Sequence, residues 1–89
     1  MTAAMAADGL DADASDVRVL KRSVRVAGHP TSISLEGPFW AELKRIAAAQ
    51  GTSLNGLITR VDAERTQSNL SSALRLLVVA DLKRHTVIR

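Results

Sequence analysis

The side chains able to support catalysis are few and badly placed for it. His29 and His85 lie far apart in a chain that has no cysteine, so no metal-ligand spacing is present. Asp62 and Glu64, two positions apart on a helical stretch, point to different sides and make no paired carboxylate site. Gly51 and Gly56 have the spacing of a phosphate loop, but Leu57 and Ile58 stand where Lys and Ser or Thr are required. With no nucleophile beside a base, neither an enzymatic activity, a metal nor a cofactor is expected.

A different chemistry is within reach, the holding of a polyanion. Lys21, Arg22 and Arg25 form a basic stretch that would neutralise phosphates, and the competing reading is an edge strand guarded by charge against aggregation. Ser32 and Ser34 alternate with apolar residues, and a serine hydroxyl donates or accepts toward either base type; otherwise they are ordinary solvent-facing serines. Ser53, Leu54 and Asn55 open a helix, where backbone amides and the positive end of the helix dipole attract anions. Ser53 is equally a plain helix cap, and both roles are compatible because the cap uses Oγ and the anion uses amides.

The charge balance agrees with such a partner. Across 89 residues there are 12 Lys and Arg against 9 Asp and Glu, a net charge of +3. Residues 1–16 hold four aspartates and no Lys or Arg, which leaves twelve cations against five anions, +7, in the remainder. That tail is too weakly hydrophobic to order itself and is expected to be disordered; it is also a candidate to fold back over the basic ribbon. No secretory signal and no stretch long enough to span a membrane is visible, so a cytoplasmic location and no membrane partner are expected.

The elements that must position these groups follow from periodicity. Residues 17–35 alternate with period two: Ser23 and Arg25 oppose Val24 and Val26, and Thr31, Ile33 and Leu35 oppose Ser32 and Ser34. Gly28 and Pro30 interrupt the run with a turn or bulge, so it is either a hairpin or one kinked strand, and either Val24–Val26 or Thr31–Leu35 could form the central ribbon. Pro38 opens a helix over about 37–50, with Phe39, Trp40, Leu43, Ile46 and Ala47 as core residues, and Gly51 closes it. A second helix runs from Ser53 to near Arg65, with Leu54, Leu57, Ile58 and Val61 on one face. Asn69 caps a third whose apolar surface is wide enough to require a cover. Residues 86–89 are read as a frayed end. The class is mainly α with a short N-terminal β-ribbon, and a domain over 17–85.

A lone strand exposes two rows of backbone polar groups, and a chain this small buries little surface, so pairing of 31–35 with the same segment of a second copy is expected. The run Thr31-Ser32-Ile33-Ser34-Leu35, then Phe39-Trp40-Ala41-Glu42-Leu43-Lys44-Arg45-Ile46-Ala47 and Gln50-Gly51-Thr52-Ser53-Leu54-Asn55, resembles the ribbon-helix-helix fold of Arc- and MetJ-like repressors. Together with Lys21-Arg22-Ser23-Val24, Gly28-His29 and Asn69-Leu70-Ser71-Ser72-Ala73-Leu74-Arg75, it is similar to a bacterial subgroup with an added third helix, over about residues 21–84.

That resemblance implies an intertwined homodimer, with higher oligomers open, whose ribbon enters the major groove of DNA. The matching readers are Ser32 and Ser34, with Pro30 at the edge, while the amides of Ser53, Leu54 and Asn55 would grip phosphate. Ile33, Leu35, Leu43, Leu54, Leu57, Ile58 and Val61 would make the dimer core. Serines are shorter than the Arg, Lys, Asn or Gln usual in that ribbon, so either Arg22 and Arg25 supply readers from the preceding strand or the ribbon is used differently. The expected function is a DNA-binding, repressor-type transcriptional regulator, sequence-specific or semi-specific. The alternative is a dimeric, antitoxin-like interaction module whose third helix holds a protein partner, with DNA contact secondary or absent.

Overall fold

The structure is a computed structural model that describes residues 16–66 and 69–86. The alternating segment folds into a hairpin within one chain: β1 (Val19–Val26) runs antiparallel to β2 (His29–Glu36), paired from Val19 opposite Glu36 to Val26 opposite His29. Ala27 and Gly28 make the turn, both at positive φ, 51° and 85°. Two left-handed residues in succession define the tight turn whose twist matches that of the strands it joins. His29 and Pro30 therefore belong to β2, not to the turn. Pro30 faces Arg25 one step from the hydrogen-bonded pair that flanks the turn, so its missing N–H costs the ladder nothing.

Three helices follow: α1 (Gly37–Ala49), α2 (Leu54–Glu64) and α3 (Leu70–Thr86). Pro38 sits in the first turn of α1. The helix closes on Gly51 at φ 70°, with the Thr52 amide donating to the Ala47 carbonyl at 2.9 Å and the Gly51 amide to Ala48 at 3.1 Å. Ser53 caps α2, its Oγ accepting from the Gly56 amide at 2.9 Å, and Asn69 caps α3, its Oδ1 accepting from the Ser72 amide at 3.2 Å.

The partner strand expected from a second chain is supplied by β1, and side chains from the helices cover both outer edges. On the β1 edge, Asn55 Oδ1 accepts from the Arg25 amide, while the Thr59 hydroxyl accepts from the Ala27 amide and donates to the Arg25 carbonyl, all at a long 3.4 Å. On the β2 edge the Ser71 hydroxyl donates to the Ser34 carbonyl at 3.2 Å. These contacts answer within one chain the problem of a solitary strand.

The core closes in the same way. Leu35, Trp40, Leu43, Ile46, Leu57, Ile58, Leu74 and Val78 are fully buried, and Val24, Val26 and Ile33 join them. All seven residues assigned to a core between chains pack inside one, with Leu54 and Val61 partly buried at its margin. The reason is α3, whose Leu74 and Val78 cover what the hairpin and two helices would leave open.

A charged cluster fixes α3 to α1. Asp81, 5% exposed, accepts from Arg45 at 2.5 Å and from Arg84 at 2.9 Å, with His85 at 3.5 Å, and Arg45 also reaches Glu42 at 2.7 Å. The hydrogen bond from Arg45 holds the Asp81 carboxyl below the ordinary aspartate range. The helix runs through Thr86, the first residue of the expected frayed end; residues 87–89 lie outside the described part. The acidic tail lies outside it too, except Asp16, which forms a two-pronged pair with Arg18 at 2.8 and 2.9 Å.

Candidate nucleic-acid interface

Pairing register sorts the hairpin into two faces. Leu20, Arg22, Val24 and Val26 of β1 look inward with Thr31, Ile33 and Leu35 of β2. The outward set pairs Lys21 with Ser34, Ser23 with Ser32 and Arg25 with Pro30. Lys21, Ser23, Arg25, Pro30 and Ser32 are exposed and Ser34 is half-buried. The face thus combines two cations with three hydroxyls. At its lower end Glu36 is paired with Arg75 at 3.0 Å, and its carboxyl is held below the usual range first by its own backbone amide and then by Arg75.

Arg22 does not share that face. It neighbours Lys21 in sequence, but successive strand residues point oppositely, and its guanidinium lies 5.6 Å from the centre of the Trp40 ring. Trp40 is fully buried and its Nε1 donates to the Leu20 carbonyl at 3.0 Å, so it serves the core. The two arginines expected to act together therefore have separate settings. Arg25 remains outward, its Nη1 donating to the Gly28 carbonyl at 3.0 Å, which keeps the guanidinium beside the turn.

The start of α2 lies against this end of the hairpin. Ser23, Val24, Arg25, Pro30 and Asn55 line a shallow cleft of about 310 Å³ between the strands and the helix. Ser53 and Asn55 are exposed, whereas Leu54 turns its side chain toward the core. Of the expected site residues, Arg25, Ser32 and Ser34 share the outer face of the hairpin and Asn55 meets its β1 edge beside Arg25, whereas Leu54 packs toward the core and Arg22 is diverted inward. The arrangement suits an extended polyanion: cations on the ribbon, and a helix N-terminus beside them.

Two positions matter to the site although the sequence says little of their role. A Cβ at Gly56 would stand 2.6 Å from Thr52 Oγ1 and 3.1 Å from Ser53 Oγ, so a larger residue there would push aside the Thr52 hydroxyl and crowd the cap on α2. Thr59 lies one helical turn after Asn55, and together they dock the helix on the β1 edge; only that spacing hinted at a shared face. Among the described residues no group of His, Cys, Asp or Glu could hold a metal ion, and no helix is long and apolar enough to cross a membrane.

Comparison with known proteins agrees with this geometry. Residues 19–82 match the family described as Ribbon-helix-helix domain. Among solved structures the chain is similar to an uncharacterized protein from Bordetella pertussis Tohama I, with 31% identity and a TM-score of 0.69, over 93% of this chain and 71% of that one. No curated protein matches. A two-stranded antiparallel ribbon, two helices joined at a glycine corner and a family match spanning most of the chain together show that it belongs to the ribbon-helix-helix domain family.

Proposed function

We propose that this protein is a DNA-binding regulator of the repressor type and not an enzyme, working as a dimer in the cytoplasm by occupying an operator. One observation carries the reading: the hairpin register collects Lys21, Ser23, Arg25, Ser32 and Ser34 on a solvent-facing ribbon that adjoins the N-terminus of α2. A two-stranded ribbon fits the major groove of B-form DNA, and the amides of Ser53, Leu54 and Asn55 would meet the flanking phosphate. Serine hydroxyls accept or donate to any base, so much of the affinity comes from phosphate contacts and discrimination between sequences is modest.

The test is a fluorescence titration against mixed-sequence duplex from about 50 to 200 mM salt. Affinity should fall steeply with salt, and replacing Lys21 and Arg25 by Ala should flatten the logarithmic slope by roughly one unit for each phosphate no longer neutralised. Arg22→Ala, on the inner face, should leave the slope unchanged. Failure to bind at low salt overturns the proposal.

A second reading, a module that docks a protein partner, is favoured by one feature: Leu76, Val79 and Leu82 of α3 are 53%, 44% and 42% exposed.

A further inference from the structure

The contacts at Asp16 turn the chain out of the line of β1 at the point where the acidic segment joins it. Asp16 Oδ1 accepts from the Arg18 amide at 3.0 Å and from Arg18 Nε at 2.9 Å, Oδ2 accepts from Nη2 at 2.8 Å, and the chain bends at Arg18 before the strand begins. A carboxylate that holds the amide two residues on is a turn-forming contact. Val17 and Val19 are 74% and 57% exposed, which leaves the approach from Asp16 to Lys21 uncovered among the described residues. Charge singles out the same outward face. Arg45, Arg65, Arg75 and Arg84 are each held by a carboxylate, whereas Lys21 and Arg25 form no ion pair among the described residues. Residues 1–15 hold Asp8, Asp11 and Asp13 and no Lys or Arg. Asp11 precedes Asp16 by as many residues as Lys21 follows it, and Asp8 and Arg25 stand eight and nine residues from it. A segment returning from the bend at about 3.3 Å per residue therefore brings a carboxylate to the level of each cation.

We propose that residues 1–15 lie back along the outer face of the ribbon, with Asp11 at Lys21 and Asp8 at Arg25, and occupy it until a polyanion of higher charge displaces them. The proposal rests on the reading of this face as the DNA surface and adds its regulation. Exposed ion pairs are individually weak, but a tethered competitor acts at an effective concentration in the millimolar range, so a loose contact still covers the face for part of the time. The affinity for DNA is then reduced by the fraction of chains whose ribbon is uncovered. Because the carboxylates and the phosphates compete for the same two cations, salt weakens both contacts together.

The chain has no cysteine, so a nitroxide attached to Ala7→Cys reports from the acidic segment alone. In the full chain without DNA, the amide signals of residues 21–25 and 32–34 should fall about twofold relative to the reduced label at about 50 mM salt, and recover near 1 M, where the screening length is only about 3 Å. Asp8→Asn combined with Asp11→Asn should abolish the loss of signal. In a fluorescence titration at about 50 mM salt, the same double variant without the label should bind mixed-sequence duplex about three to ten times more tightly than the parent. Signal loss on α3 around Lys83 instead of the ribbon, or none anywhere, overturns the inference. So does a loss that survives neutralisation of the two aspartates, or a contact whose removal leaves DNA affinity unchanged. If neither chain binds DNA, the reading of the ribbon as a DNA surface fails, and the nitroxide alone decides where the segment lies.

Discussion

The two faces of the hairpin differ by one residue of register and by almost everything else. Inward, Val24, Val26, Ile33 and Leu35 are buried against the helices, and Arg22 covers Trp40. Outward, Lys21, Ser23, Arg25 and Ser32 meet solvent. Because strand side chains alternate strictly, the chain places folding energy and partner contact on neighbouring residues without mixing them. Substitutions on one face should change stability, and those on the other should change binding.

The largest expected effect tests that division directly. Leu35 is fully buried among Trp40, Leu43 and Leu57, so Leu35→Ala should cost about 2–5 kcal/mol from reduced burial and the cavity left behind. Its neighbour Ser34 faces outward and engages α3 through its backbone carbonyl, which a side-chain change retains. Ser34→Ala should stay within about 0.5 kcal/mol. Urea unfolding of both variants measures the contrast, and similar costs would mean that the faces are not separated.

How much of this is visible in the sequence depends on the range of the physics. Alternation is local, so the opposition of Ser23 and Arg25 to Val24 and Val26, and of Ser32 and Ser34 to Ile33 and Leu35, reads directly. The helix caps Ser53 and Asn69 and the stop at Gly51 are legible for the same reason. Strand partnership is tertiary: the same pattern serves a twin strand or β1, and nothing in the identity of Ala27 announces a positive φ. Arg22 groups with its charged neighbours in sequence because a run of cations looks continuous there and becomes two-sided only once it is a strand. Closure by α3 is not legible, because its wide apolar surface fits an internal core or an external partner equally well; the fold uses one side for Leu74 and Val78 and leaves Leu76 and Val79 outside.

A smaller effect sharpens the comparison through pH, because the inner face depends on α3 staying seated on α1. Arg45 keeps the Asp81 carboxyl below its ordinary value of 3.8, so the charged form is favoured in the folded state. Stability from this contact is therefore complete above about pH 3.8 and is lost as pH falls through the lower folded value. Asp81→Asn should be less stable than the parent at neutral pH, with the gap narrowing below pH 4 in urea midpoints. A gap independent of pH would show that the carboxylate does not hold the helices together.

The smallest effect concerns the turn that makes the two faces possible. Ala27 holds φ at 51°, a left-handed conformation that disfavours a Cβ, and is followed by Gly28 at 85°. Asparagine tolerates that region far better, and Asn-Gly is the preferred pair for this turn type. Ala27→Asn should therefore stabilise the protein by about 0.5–1 kcal/mol, raising Tm by a few degrees for a chain of this size. The Ala27 amide that donates to Thr59 is backbone and survives the change, and the new side chain points into open solvent. If β1 and β2 instead ran on as one strand against a twin, position 27 would have extended backbone, where asparagine is a poor strand former and the substitution would destabilise. The sign of one small change in Tm thus decides whether the ribbon closes within a chain or between two.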